Sequence, residues 1–360
     1  MKTKIFLFLL IVCLSISPES ALVHAETAEE TLKMISTLSP SKRKAALEKG
    51  AKEEGQLNFY TSISTSDHAQ IMTAFRKTYP FIKTNLYRST PARLYTRLDL
   101  EQRAGRHAVD VVGTAPVQIW QIKESKYSIP YLSPQVKAFP AGSYDSRGYW
   151  ASYDVTPIIL AFNPTLANPQ QVPTTYQGLL DPRWKGEMSM DTDAYDWFAV
   201  MLDSMGKDKG LAYMRALAKQ DLKFPGSSSR LRVQLMMAGE SAIAIAVRGR
   251  RVTEFKEKGG PIDLRILEPY PAVPGMVTLI RRAPHPHVAV LFIDWILSAE
   301  GQSVMSRVPR IGIRKGVQQV PRHRELFKKK FFFVSPSFLG PNLNEIIELY
   351  NRTFEIHGAR

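Results

Sequence analysis

The sequence predicts an α/β protein whose first half is a parallel, doubly wound sheet with helices on both faces. Three observations carry this. Strand and helix patterns alternate between residues 57 and 112, and glycine- and hydroxyl-rich loops follow the carboxyl ends of the strands. After Tyr149 the texture changes, and a long apolar run leads into a second set of alternating segments.

The elements follow in order. Residues 26–54 are polar and helix-prone, with Leu32, Ile35 and Leu38 at the three-residue spacing of a short amphipathic helix. Residues 45–54 predict a second helix, stopped by Gly55. Residues 57–60 read as a strand and 61–65 as a hydroxyl-rich loop. Ser66 or Asp67 is then placed to cap a helix carrying Ile71, Met72, Phe75 and Tyr79 on one face, ended by Pro80. A strand over 82–87, a helix over 91–104 ended by Gly105, and a strand over 109–112 complete a β-α-β-α-β unit. Gly113-Thr114-Ala115-Pro116 lies at the carboxyl end of that third strand.

Beyond Tyr149, residues 153–163 predict a strand crossing between domains, stopped by Pro164. Strands follow at 187–190, 241–247 and 276–280, and a proline-rich crossing at 269–274. Helices are predicted up to Met205 and over 210–219, 230–238, 253–258 (stopped by Gly259-Gly260), 288–297 and 342–354, with a short one after Gln302.

The first twenty-five residues have the pattern of a cleavable secretory leader. Lys2 and Lys4 precede an unbroken apolar run from Ile5 to Leu14, Pro18 breaks it, and Val23-His24-Ala25 offers a cleavage site. The apolar run falls short of the roughly 20 residues that span a bilayer. A lipoprotein at Cys13 is the alternative, with Val12 where a small residue belongs. The chain's single cysteine is Cys13. Cleavage therefore excludes disulfides, cysteine metal sites and thiol nucleophiles from the mature protein. The 335 residues left are enough for two domains. Localisation in the periplasm is expected.

Formal charge is +15, or +14 once Lys2, Lys4 and Glu19 leave with the leader. A basic balance often points to nucleic acid, but export argues against that partner. A generally basic surface and a field that draws in anions both remain open.

The order of segments resembles the extracellular solute-binding proteins of bacterial ABC importers, in the cluster that includes ferric-iron and polyamine binders. The residues that carry the resemblance are Gly55-Gln56-Leu57-Asn58-Phe59-Tyr60-Thr61-Ser62, Val109-Asp110-Val111-Val112 and the 153–164 crossing. Asp181-Pro182-Arg183-Trp184-Lys185-Gly186-Glu187, Met237-Ala238-Gly239-Glu240 and Ala299-Glu300-Gly301-Gln302 add to it. The resemblance covers residues 50–335. It implies a type II periplasmic-binding-protein fold: two α/β lobes, each a mainly parallel sheet with helices on both faces, joined by a hinge of crossing strands that close over a ligand. The lobes would comprise residues 55–156 with 275–360, and residues 157–274.

The family's iron binders hold ferric ion through adjacent tyrosines after the strand that follows the Ala-Gly-Glu turn. Here that place is occupied by Arg248-Gly249-Arg250-Arg251. A guanidinium grips carboxylate or phosphate bidentately and stays charged when desolvated. The expected ligand is therefore an organic anion: a carboxylate, phosphonate or phosphate ester. Arg248, at the strand end, is the foremost candidate, while Arg250 and Arg251 either join it or lie paired on the outer face of a helix start. Thr61, Ser62 and Thr114 sit in loops beyond strand ends, where ligands of such sheets bind or where helices are capped. Ser227 and Ser228 begin the helix containing Arg230, as anion donors or as caps. Tyr195 follows Asp191 and Asp193 and could stack on a ligand, and Tyr153 could reach the cleft or pack the hinge.

No nucleophile motif or phosphate loop appears, so a binding protein rather than an enzyme is expected, with no cofactor and no metal. His285 and His287 around Pro286 form either a metal pair or an ordinary loop. The expected partners are a small-molecule ligand and the membrane permease of an ABC importer, with no nucleic acid, and the chain as a monomer. The alternatives are a ferric-iron carrier using a synergistic anion, and an exported enzyme or a sensor on the same fold.

Overall fold

The computed structural model describes residues 27–307 and 310–356. The leader expected over residues 1–25, with Cys13, lies outside them, as does the side chain of Ser66. α1 (Ala28–Ser36) starts from a capping box between Thr27 and Glu30, and α2 (Pro40–Glu54) ends at Gly55. β1 (Gln56–Thr61), α3 (Thr65–Thr78), β2 (Lys83–Arg88), α4 (Pro91–Arg103) and β3 (Val111–Thr114) form the predicted alternation. Ser64 caps α3, in place of the two candidates named from sequence: its hydroxyl accepts the Asp67 backbone N–H at 3.3 Å. α5 (Pro116–Glu124) follows Thr114 almost at once, and β4 (Ser128–Ile129) follows α5.

β5 (Ala151–Phe162) leaves this unit. β6 (Met188–Ser189), α6 (Tyr195–Met205), α7 (Lys207–Ala218), α8 (Ser229–Met237), β7 (Ile243–Arg248), α9 (Gly249–Glu257) and β8 (Asp263–Arg265) come next. β9 (Pro271–Ile280) returns, followed by α10 (Pro286–Leu297), α11 (Ala299–Arg307), β10 (Phe332–Phe333) and α12 (Pro336–Phe354).

The strands run in the order β2-β1-β3-β9-β5-β7-β6. β1, β2 and β3 are mutually parallel through β1, as expected. β9 is antiparallel to both β3 and β5, and β5 is antiparallel to β7 and β8. The sheets are thus mixed rather than mainly parallel, because the two crossing strands must run in opposite directions to leave one lobe and return to it. The result is a two-lobed type II fold. One core gathers Phe59, Phe75, Phe292 and Trp295, the other Trp197, Phe198, Met214 and Ile243. Each such side chain contributes about 1.5–3 kcal/mol by leaving water.

Two polar devices hold the crossing in place. Gln302, from the Ala-Glu-Gly-Gln stretch, is fully buried. Its amide donates to the carbonyls of Tyr153 at 2.7 Å and Ile296 at 3.0 Å, and its oxygen accepts the Ile313 N–H at 2.9 Å. It wires α11 to the hinge strand. At the start of α10, Glu54 accepts the N–H groups of His287 (3.0 Å) and Val288 (2.8 Å), and Asp110 accepts that of His285 (2.8 Å). Both imidazoles bond the same carboxylates, Nδ1 of His285 at 3.0 Å from Asp110 and Nδ1 of His287 at 2.7 Å from Glu54. The His-Pro-His stretch therefore fastens a helix start, and among the described residues no group of His, Cys, Asp or Glu could hold a metal ion.

Candidate functional site

The chemistry collects where the crossing strands meet the starts of α3 and α9. A charged residue inside the apolar run of β5 must find a partner when buried. Asp154, 1% exposed, finds Arg310: Nη1 donates to Asp154 Oδ2 at 2.8 Å, and Nε of the same guanidinium donates to Asp67 Oδ2 at 3.1 Å. Burial opposes the charge on Arg310, but the two carboxylates overcome it and raise its pKa. The Asp154 carboxylate lies over Gly275 on β9, where any Cβ would come within 1.9 Å of Oδ1.

Arg250 approaches this group from the other lobe. α9 begins at Gly249, four residues earlier than the sequence suggested, which puts Arg250 in the first helical turn. Its Nε is buried with no hydrogen-bond partner. Burial lowers its pKa, and so do Arg310 and Arg251, with Asp154 and Asp67 opposing. Two guanidinium groups, one on α9 and one after α11, thus share one partly buried space, and one of them has no hydrogen-bond partner.

A second arrangement lies at the end of β7. Ala246 adopts φ 56, a left-handed backbone uncommon for alanine. Arg232 holds it there from beneath, donating to the carbonyls of Ile245 (2.7 Å) and Ala246 (3.1 Å) and to Asp191 Oδ2 (2.8 Å). Above it, Arg248 Nη2 donates to Asp196 at 3.2 Å. Loss of surrounding water and then Asp191 raise the pKa of Asp193 beside them, although Asp193 is exposed and solvent screens the effect.

The residues singled out from sequence fall into three groups. Arg248 is half-buried at the strand end, facing Asp196. Thr61, Thr114 and Tyr153 are buried at the crossing. Tyr153 hydrogen-bonds Thr61, burial pushes its hydroxyl pKa up, and Thr114 Oγ1 is buried without a partner. Ser62 lies beside them, its N–H donating to Gly113 at 3.0 Å. Tyr195 stands edge-on to Tyr350 at 5.3 Å, at the head of α6. Three others take part in local structure. Ser228 caps α8 by accepting from Leu231 at 3.3 Å, Ser227 is exposed beside it, and Arg251 pairs with Glu254 at 2.8 Å. Arg251, Arg230 and Lys258 hold the Glu254 carboxyl at about 2 against the opposing effect of burial. Sequence reasoning passed over Arg310, Asp67, Asp154 and Arg232, and weighted Arg250 below Arg248. The one signal available was the lone aspartate within an apolar strand.

A cavity of about 820 Å³ lies elsewhere, between α1, α2 and α10, but its Arg43 and Asp294 are paired at 2.6 Å. The Arg250 and Arg310 group is the stronger candidate, because it holds a buried guanidinium nitrogen without a hydrogen-bond partner.

The profile of the family described as bacterial extracellular solute-binding protein matches residues 116–317, more than half of the chain. Iron uptake protein A1 of Synechocystis sp. is 21% identical over 273 residues, covering 71% of this chain and 74% of that protein. The solved structure of the Trichodesmium protein IdiA (FutA), in complex with iron and citrate ligands, superposes with a TM-score of 0.72. It is 18% identical and covers 83% of this chain and 99% of its own. AfuA from Actinobacillus pleuropneumoniae, with fructose-6-phosphate bound, gives a TM-score of 0.66 at 20% identity, covering 84% and 99%. By family and fold, the chain belongs to the bacterial extracellular solute-binding proteins, which serve as the binding components of ABC importers.

Proposed function

We propose that this protein captures ferric iron as a complex with a small carboxylate anion, gripped between the lobes by Arg250 and Arg310 with Arg248 at the rim. The lobes close over it about β5 and β9, and the periplasmic protein, a monomer, delivers it to a membrane permease. The observation that carries this reading is the buried, unpartnered Nε of Arg250 beside Arg310. Like charges sharing one partly buried space repel, and an anion between them turns that repulsion into attraction. A bare ferric ion would meet the opposite field. The tyrosine pair that would neutralise it is absent from the first turn of α9, and Tyr153 and Tyr195 are engaged within the protein. Iron is supported by the names of the relatives, an iron uptake protein and a structure holding iron and citrate. A ferric carboxylate complex of net negative charge satisfies both lines of support, because the anion supplies the oxygen ligands.

A second reading is a metal-free organic anion such as a phosphate ester. The same arginines favour it, as does the structural neighbour with bound fructose-6-phosphate. Thermal unfolding of the mature protein with ferric citrate, citrate alone, fructose-6-phosphate and ferric chloride separates them. A ligand at 100 times its Kd adds about 2.7 kcal/mol of stability. A shift with ferric citrate well above that with citrate supports the first reading, and equal shifts support the second. A shift with ferric chloride alone, unaffected by Arg250→Ala, overturns both.

A further inference from the structure

The last helix, α12, touches both lobes. Its carboxyl-terminal half belongs to the second lobe: Ile346, Leu349, Tyr350 and Phe354 are buried in that core with Phe198. Tyr350, wholly buried, donates its hydroxyl to the carbonyl of Asp191, and Lys207 of α7 pairs with Glu345 at 2.5 Å. Its amino-terminal half lies on α5 of the first lobe. There Gly340 sits against the indole of Trp120 so closely that a Cβ would come within 2.4 Å of the ring. Val117 of α5 packs beside it.

The two helices joined in this way, α5 and α6, both begin at loops of the candidate site. α5 starts two residues after Thr114, and α6 starts at Tyr195. Rotation of one lobe against the other changes the spacing between them, and a helix of 19 residues seated on both, with Pro341 next to its Gly340 seat, resists that change. The two seats differ in kind. The Tyr350 end is an interdigitated core with a hydrogen bond to backbone. At the Gly340 end the glycine lets the helix approach the Trp120 ring closely, with Leu339 buried beside it and Trp120 partly buried. The first seat is thus core packing with a hydrogen bond, the second packing alone.

We propose that α12 is an interlobe strut. It is fixed to the second lobe through Tyr350 and seated on the first at the Gly340–Trp120 contact, so that it limits how far the empty cleft opens. This holds for any ligand and does not rest on the reading above.

Spin labels at Leu100→Cys on α4 and Leu166→Cys after β5, both exposed, report the distance between lobes in the ligand-free mature protein. Gly340→Ala and Trp120→Ala loosen the seat from opposite sides. Each is expected to broaden and lengthen the distance distribution. Small-angle scattering should give a radius of gyration raised by roughly 1 Å from about 20 Å. Glu345→Ala, which removes only the exposed pair to Lys207, should leave the distribution as in the parent. If Gly340→Ala impairs folding, Trp120→Ala carries the test, since it only removes atoms from a partly buried site. A cooperatively folded Trp120→Ala protein with the parent's distance distribution would overturn the strut.

Discussion

Arg232 and Asp191 form a salt bridge of 2.8 Å in which the guanidinium is entirely withdrawn from water. Arg232 also holds the carbonyls of Ile245 and Ala246, so the geometry of the strand end at Arg248 depends on this buried pair. Arg232→Met leaves Asp191 buried and unpaired. Removing one partner of such a pair costs about 3–5 kcal/mol, and denaturant unfolding should register it. The double variant Arg232→Met with Asp191→Asn should recover part of that loss, since no charge is then left stranded.

Arg250 should show the reverse balance of stability and binding. Its buried Nε has no partner and its nearest neighbours include Arg310, so it strains the empty protein. Arg250→Met is expected to stabilise the ligand-free form by about 1 kcal/mol, the scale of one unmade buried hydrogen bond. The same variant should abolish the thermal shift with ferric citrate. Arg251→Ala, by contrast, breaks a partly exposed network with Glu254 and should change stability by less than about 0.5 kcal/mol.

His68 predicts an acid limb of stability. It is 5% exposed and stacked on Phe59 with ring centroids 5.9 Å apart; burial first, and Arg76 second, lower its pKa to about 4. The folded protein holds it neutral, while the unfolded chain protonates it near pH 6.5. Stability is therefore complete above pH 6.5 and falls as pH drops towards 4, by up to about 3 kcal/mol at 1.36 kcal/mol per pKa unit. His323, also buried and lowered to about 4, adds to the same limb. His285 works in the opposite sense, since its bonds to Asp110 raise its pKa against burial, and its contribution is lost as pH rises past that value. Urea midpoints between pH 4 and 7 measure the sum. His68→Phe should flatten part of the slope.

Much of this was legible in the chain because it rests on local pattern. The first β-α-β-α-β unit was readable from apolar periodicity, and β5 from its polar-to-apolar run. The start of α9 was not. The helix was expected only from Thr253, and Gly249 at its observed start lies close against Leu326 and the Pro157 carbonyl. The ion pairs of Arg310 were hidden for a different reason. Its partners lie 243 and 156 residues away, and no periodicity reports a contact of that range. The serines before α8 show the converse. Their composition suited an anion, but Ser228 spends its hydroxyl on its own helix.

Gly275 tests whether the crossing strands and the arginine pair form one unit. An added methyl would meet Asp154 Oδ1 at 1.9 Å and the Tyr153 ring at 3.3 Å, both on the hinge strand. Gly275→Ala cannot be absorbed by a flexible tip, because Asp154 is held by Arg310 and Tyr153 by Thr61. Overpacking of this kind costs about 1–3 kcal/mol. The displaced carboxylate should also release Arg310, so ferric citrate binding should weaken beyond what the lost stability explains. Asp154→Ala combined with Gly275→Ala makes room for the methyl and should restore the melting temperature without restoring affinity. Recovery of both together would mean that Asp154 only fills space, and that Arg310 holds its position without it.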